Sequence, residues 1–203
     1  VTNDSLLRSV FFLNENTGWV ARNNTSSYYK TTDQGVTWNT FNISEIIFRP
    51  RNFFFINENT GWYTTPTVFF KTTNSGLNWQ MKSSALPNVF PVYKFLNSEN
   101  GFIMNAGMTV TTNGGSTWLD SSISGHLQTD IIEDGNGISF DAGKIFKTTN
   151  YGVNWFSFGQ NTLLQDNGII DLFFVNSSQG YLTSDNFIAK TTNSGYTWYK
   201  TDT

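Results

Sequence analysis

The sequence predicts an all-β chain, a β-propeller of five four-stranded antiparallel blades, on three observations. A Trp-bearing motif recurs five times at nearly constant spacing, a second turn motif precedes each copy, and short aromatic or β-branched runs fill the intervals. A repeat of about 40 residues built from short strands is the sequence signature of propeller blades. Each such unit has two apolar faces that only neighbouring units can bury.

The first motif reads TTDQGVTW from Thr31 to Trp38 and returns as TTNSGLNW, TTNGGSTW, TTNYGVNW and TTNSGYTW, ending at Trp79, Trp118, Trp155 and Trp198. Successive tryptophans lie 41, 39, 37 and 43 residues apart. The second motif is NENTGW from Asn14 and again from Asn57, NSENGF from Asn97, a divergent EDGNGI from Glu133, and NSSQGY from Asn176. Before it stand VFFL, FFFI, YKFL, DII and LFFV, runs that read as buried first strands. The Gly-aromatic pair opens a second strand, as in GWVAR. Segments such as SYYK, FFK and IFK give the third, and the Trp motif turns into the fourth, as in TWNTF. No window carries apolar residues at helical spacing. The expected organisation is one domain over 1–203, with blades at about 6–42, 50–83, 91–122, 128–159 and 169–203. The last unit carries its own fourth strand, so no strand is left over as a clasp. Packing of blade one on blade five is the favoured closure, and membership of a larger ring or a longer polypeptide the alternative.

Composition narrows the function. The 203 residues hold 12 Lys+Arg against 15 Asp+Glu, a formal charge of −3, so the positive field that drives nucleic-acid binding is missing and no nucleic-acid partner is expected. There is no cysteine and one histidine, His126, which removes thiolate chemistry and multi-histidine metal sites; no metal or cofactor is expected. No apolar run approaches the roughly 18 residues of a membrane span, so no transmembrane segment is expected. The start at Val1 shows neither a basic nor an apolar leader, so a targeting signal reads as absent or removed. Low charge with abundant Asn, Thr, Ser and Gly leans towards a secreted, periplasmic or cell-surface protein.

The pattern Ser/Thr-x-Asp-x-Gly-x-Thr-Trp resembles the Asp-box, or BNR repeat, of sialidases and other propellers. The first copy supplies Thr31, Asp33, Gly35, Thr37 and Trp38. The others carry Asn74, Asn113, Asn150 and Asn193 at the Asp position and Gly76, Gly115, Gly152 and Gly195 two residues on. Coupled to the upstream N-x-x-x-G-W element, it resembles still more the photosystem II assembly/stability factor group, relatives of which occur in secreted bacterial proteins. The resemblance spans all five units and implies a propeller. These residues are read as structural: the Asp or Asn oxygen accepts backbone N–H groups and the glycine supplies a positive φ. Calcium binding by the boxes is disfavoured by four neutral amides.

Meander connectivity puts the A–B and C–D turns on one face of a blade and the B–C turns and D–A connections on the other. The long variable connections, 42–52, 82–92, 120–129 and 158–170, share that second face. Binding residues concentrate on such loops. The candidate interaction surface there is Arg49, Arg51, Phe90, His126, Leu163 and Leu164, a mixture suited to a protein contact or to sugar stacking.

The sialidase resemblance implies an arginine triad, a Tyr–Glu nucleophile pair and an Asp acid/base. The four arginines Arg8, Arg22, Arg49 and Arg51 all lie in the first quarter, and Phe48-Arg49-Pro50 matches an Arg-Ile-Pro motif only in part. No catalytic residue is assigned. The densest acidic group is Asp130, Glu133 and Asp134, but Glu133-Asp134-Gly135-Asn136-Gly137 aligns with the A–B turn and reads as a divergent turn rather than a glycosidase pair or metal loop. Asn-x-Ser/Thr sequons at Asn3, Asn23, Asn24, Asn42 and Asn176 matter only in a glycosylating host. The function expected is a non-catalytic scaffold with a protein partner; a carbohydrate-binding module or sialidase-like remnant that takes a glycan is the alternative. All seven tryptophans fall in repeat motifs, Trp19 and Trp62 in the upstream turn, which weakens the sugar reading.

Overall fold

The computed structural model describes residues 7–22, 25–43, 50–65, 68–83, 92–104, 107–124, 128–141, 144–157 and 168–201. Every regular element among them is a strand, and the strands form five antiparallel sheets in up-and-down order, the blades of a β-propeller. Blade one holds β1 (Leu7–Phe12), β2 (Gly18–Arg22), β3 (Ser27–Thr31) and β4 (Asn39–Asn42). Blade two holds β5 (Asn52–Phe55), β6 (Gly61–Thr64), β7 (Phe69–Thr72) and β8 (Gln80–Ser83). Blade three holds β9 (Val92–Phe95), β10 (Gly101–Met104), β11 (Gly107–Thr111) and β12 (Leu119–Ser124). Blade four holds β13 (Gln128–Ile131), β14 (Gly137–Asp141), β15 (Lys144–Thr148) and β16 (Phe156–Ser157). Blade five holds β17 (Ile169–Phe174), β18 (Gly180–Ser184), β19 (Ile188–Thr191) and β20 (Tyr199–Lys200).

The chain divides into two compact units. One is Val1–Phe90 with Asn113–Thr117, carrying blades one and two and the Trp-motif turn of blade three. The other is Pro91–Thr112 with Trp118–Thr203, carrying the strands of blade three and blades four and five.

Each blade is set by its A–B turn. Asn14 Oδ1 accepts the amides of Asn16 and Thr17 at 2.9 and 2.8 Å, and Asn57, Asn97 and Asn176 do the same for the amides two and three residues on. This side-chain turn stops strand A and reverses the chain. The glycine that follows is a site of close approach: Phe55 lies where a Cβ on Gly61 would stand, and Phe12, Phe95 and Phe174 sit likewise on Gly18, Gly101 and Gly180. In register these are directly opposed pairs, a ring laid flat over a bare backbone. Blade four departs from the others: Asp134, not an Asn one residue earlier, accepts the Asn136 amide through Oδ1 at 2.9 Å, and Ile131 replaces the Phe opposite Gly137.

The first unit has an aromatic core. Trp19 stacks on Phe55 of the next blade with centroids 3.7 Å apart and planes 10° off parallel, and Tyr63 stacks on Phe70 at 4.5 Å. Trp19, Tyr28, Trp62 and Tyr63 are fully buried, each contributing on the order of 2–3 kcal/mol of burial. The second unit keeps the same geometry with aliphatic side chains, Ile131, Ile138, Ile145, Val110 and Leu182.

Candidate interaction surface

The Trp motif folds as a closed set of hydrogen bonds between the third and fourth strands. In the first copy Thr31 Oγ1 donates to Asp33 Oδ1 at 2.7 Å and accepts the Gly35 amide at 2.9 Å. Asp33 Oδ1 accepts the Thr37 amide at 2.9 Å and Oδ2 accepts the Thr37 hydroxyl at 2.6 Å. These donors, the Thr37 hydroxyl foremost, hold the Asp33 carboxyl below its ordinary value. The Asn copies keep the backbone bonds at 2.9–3.0 Å: Asn74 to the Asn78 amide, Asn113 to Thr117, Asn150 to Asn154 and Asn193 to Thr197. The hydroxyl bond runs the other way, because Asn113 and Asn193 Nδ2 donate to Thr117 and Thr197 Oγ1. The turn therefore needs the oxygen and not the charge.

Two consecutive residues of this turn have positive φ, the glycine and the residue before it. That residue is Gln34, Ser75, Tyr151 or Ser194 at 60–63°, and only the third copy places a glycine there, Gly114. The amide of this extra residue ties the two turns of a blade together: Gln34 to Asn16 O, Ser75 to Asn59 O, Tyr151 to Gly135 O and Ser194 to Ser178 O, at 2.8–3.1 Å. Both repeated turns thus share one face within blades one, two, four and five.

Within the units, side chains that differ from repeat to repeat also donate to carbonyls of a following Trp-motif turn. Tyr28 Oη donates to Gly76 O at 2.8 Å, Trp62 Nε1 to Gly114 O at 3.1 Å, and Ser121 Oγ to Gly152 O at 2.7 Å. Burial pushes the Tyr28 phenol up to about 12, against a smaller downward pull from Trp79. Burial over Trp19 lowers Lys30, partly offset by the charge of Glu58. Within the acidic group Asp130 stands apart from the turn, on the first strand of its blade. Glu133 and Asp134 do lie in the turn, but Asp130 is on β13, buried, accepting the Phe174 amide through Oδ2 at 2.6 Å and Lys94 Nζ through Oδ1 at 3.3 Å.

On the opposite face the ends of the connections meet the B–C turns. Ile43 N donates to Ser26 O at 2.7 Å, and Arg51 N to Thr64 O at 2.6 Å. Arg51 is half-buried, and its carbonyl accepts Ser9 Oγ at 2.5 Å. Arg49, Phe90, His126, Leu163 and Leu164 lie outside the described residues. Of the other arginines, Arg22 donates to Ser27 Oγ at 2.9 Å and lies over the Tyr29 ring. Among the described residues no three His, Asp or Glu side chains are grouped as metal ligands, and no helix is long and apolar enough to cross a membrane.

No protein-family model and no curated protein matches the chain. Solved structures do. YCF48 from Cyanidioschyzon merolae is 16% identical with a TM-score of 0.50, over 99% of this chain and 86% of that one. The GH74 enzyme of Niastella koreensis is 16% identical with a TM-score of 0.57, and the extracellular domain of BT4673 from B. thetaiotaomicron 13% identical with a TM-score of 0.58. The chain covers 31% and 30% of the length of those two. What the three share with it is the β-propeller fold.

Proposed function

We propose that this chain is a non-catalytic, secreted or cell-surface propeller that binds a protein partner through the D–A connections, as an interaction or assembly scaffold. The carrying observation is that its recurring polar and aromatic residues are spent on architecture. The Asp and Asn oxygens of all five Trp-motif turns are taken by the turn's own backbone, and Trp19 and Trp62 are fully buried. A fold leaves function to the parts that vary, and here those are the connections between blades. The outside location is supported by the propeller fold of the BT4673 extracellular domain.

The test is capture from an extracellular fraction by immobilised wild type and by a variant with Arg49, Arg51 and Phe90 changed to Ala. The expected result is a defined protein partner retained by the first and lost by the second. Equal capture by both removes this surface from consideration. Binding on a glycan array, or turnover of aryl glycosides, replaces the scaffold reading with the carbohydrate one.

A further inference from the structure

Two seams between consecutive blades, each lying within one compact unit, are built on the same positions and filled differently. Between blades one and two, Trp19 stands directly across from Lys30 in register; its ring lies flat on Phe55 at 3.7 Å, with Lys30 Nζ 5.2 Å from the ring centre. Ser75 and Glu58 of blade two border the lysine: its Nζ donates to Ser75 O at 3.5 Å, and the Glu58 charge acts on it. Between blades four and five the equivalents of Phe55, Lys30, Ser75 and Glu58 are Phe174, Lys147, Ser194 and Ser177, but the residue across from Lys147 is Ile138. There the seam holds a notch of about 210 Å³, partly open to solvent, lined by these five residues and by the turn that leads into Ile138. Every residue that lines it belongs to the second unit.

The notch lies where an indole stands in the first seam. An isoleucine reaches less far than a tryptophan, so Phe174 keeps the platform without the ring that covers Phe55. Among the described residues Phe174 meets one other ring, Trp198, edge-on at 6.1 Å, which repeats the contact of Phe55 with Trp79 at 6.0 Å and leaves the stacking position unused. Lys147 Nζ rests over Tyr196 at 5.0 Å, and its flexible stem lets it reach a ring in the notch. We infer that this notch takes the tryptophan side chain of a partner protein, laid on Phe174 within reach of Lys147, as Trp19 lies on Phe55 with Lys30. The volume suits a single side chain and falls short of the roughly 300–1,000 Å³ of small-molecule pockets. An indole is the ring that best attracts an ammonium, and it gains further from an offset stack. The site lies among the A–B turns of blades four and five, apart from the D–A connections, so either surface can fail without the other.

The probe is N-acetyl-tryptophanamide, titrated into the full chain and followed by NMR, with N-acetyl-leucinamide as control. The tryptophan derivative should shift the resonances of Gly137, Ile138, Phe174, Ser177 and Ser194 saturably, with low-millimolar affinity, and the leucine derivative should not. Ile138→Trp fills the notch from within and should abolish the response, with circular dichroism verifying its fold. Lys147→Met, at a partly exposed position, leaves the platform in place and should weaken binding about two- to fivefold; it decides alone if the first variant does not fold. No saturable shift in the wild type, the same response to the leucine derivative, or undiminished binding by either folded variant would overturn the inference.

Discussion

Lys94 and Asp130 occupy the same position in consecutive repeats, and their side chains meet at 3.3 Å. Blades one, two and five carry Phe11, Phe54 and Phe173 there. An aromatic contact has been exchanged for an ion pair, and the carboxylate also holds the Phe174 amide of the next blade. Asp130→Ala should lower unfolding stability by about 2–3 kcal/mol, the cost of stranding a buried amide and losing a charge-assisted bond. Lys94→Met should cost less than about 1 kcal/mol, because the lysine is half exposed. Urea titrations of the two variants check the order; equal losses would count against it.

Tyr28 makes stability sensitive to alkali. Its folded value of about 12 stands above the ordinary 10.0, so the protonated phenol favours the fold. That contribution is complete below pH 10 and disappears as pH rises from 10 to about 12, a change of roughly 2 kcal/mol. Melting curves across this window should show the loss in wild type and not in Tyr28→Phe, which should start about 1 kcal/mol lower from the lost bond to Gly76.

Asp33→Asn should shift the neutral-pH midpoint by no more than about 2 °C, since four sister turns already use Asn. Its effect belongs at low pH. A depressed carboxyl stabilises the fold above its ordinary value near 3.9 and loses that contribution as pH falls through the folded value. Acid titrations followed by fluorescence should find the variant less sensitive than wild type below pH 4.

The left-handed residue before each turn glycine offers a stabilising change. Ser194→Gly relieves a side chain held at φ 60°, as Gly114 does naturally in the third copy. The relief of about 1 kcal/mol is set against the extra freedom of glycine when unfolded, leaving a net gain of a few tenths. Gly61→Ala should do the opposite, displacing Phe55 from its stack on Trp19 at a cost of about 2 kcal/mol or more. Paired thermal melts give both signs.

The blades were legible in the sequence because the turn chemistry repeats: Asn14, Asn57, Asn97 and Asn176, and the Asp or Asn of each Trp motif, sit at fixed offsets dictated by one hydrogen-bond pattern. Tyr28, Ser121 and Asp130 were not legible, because each answers to a particular neighbour rather than to the repeat. One signal for Asp130 was present: a Lys and then an Asp replacing Phe at one repeat position in adjacent units, a charge pair written 36 residues apart. The left-handed residue before the glycine was missed for another reason. Gln, Ser and Tyr have no preference for that conformation, and it is imposed by the amide bond to the neighbouring turn.

The fastenings between blades differ at every step, a phenol, an indole, a hydroxyl and a carboxylate in succession. Near-identical repeats would be interchangeable parts, and a chain of them could pair out of sequence while folding. Here a misplaced unit presents the wrong side chain to its neighbour, such as a carboxylate where a ring is packed. The blades thus carry individual addresses, and a chimera with two of them exchanged should fold poorly even though every motif in it is intact.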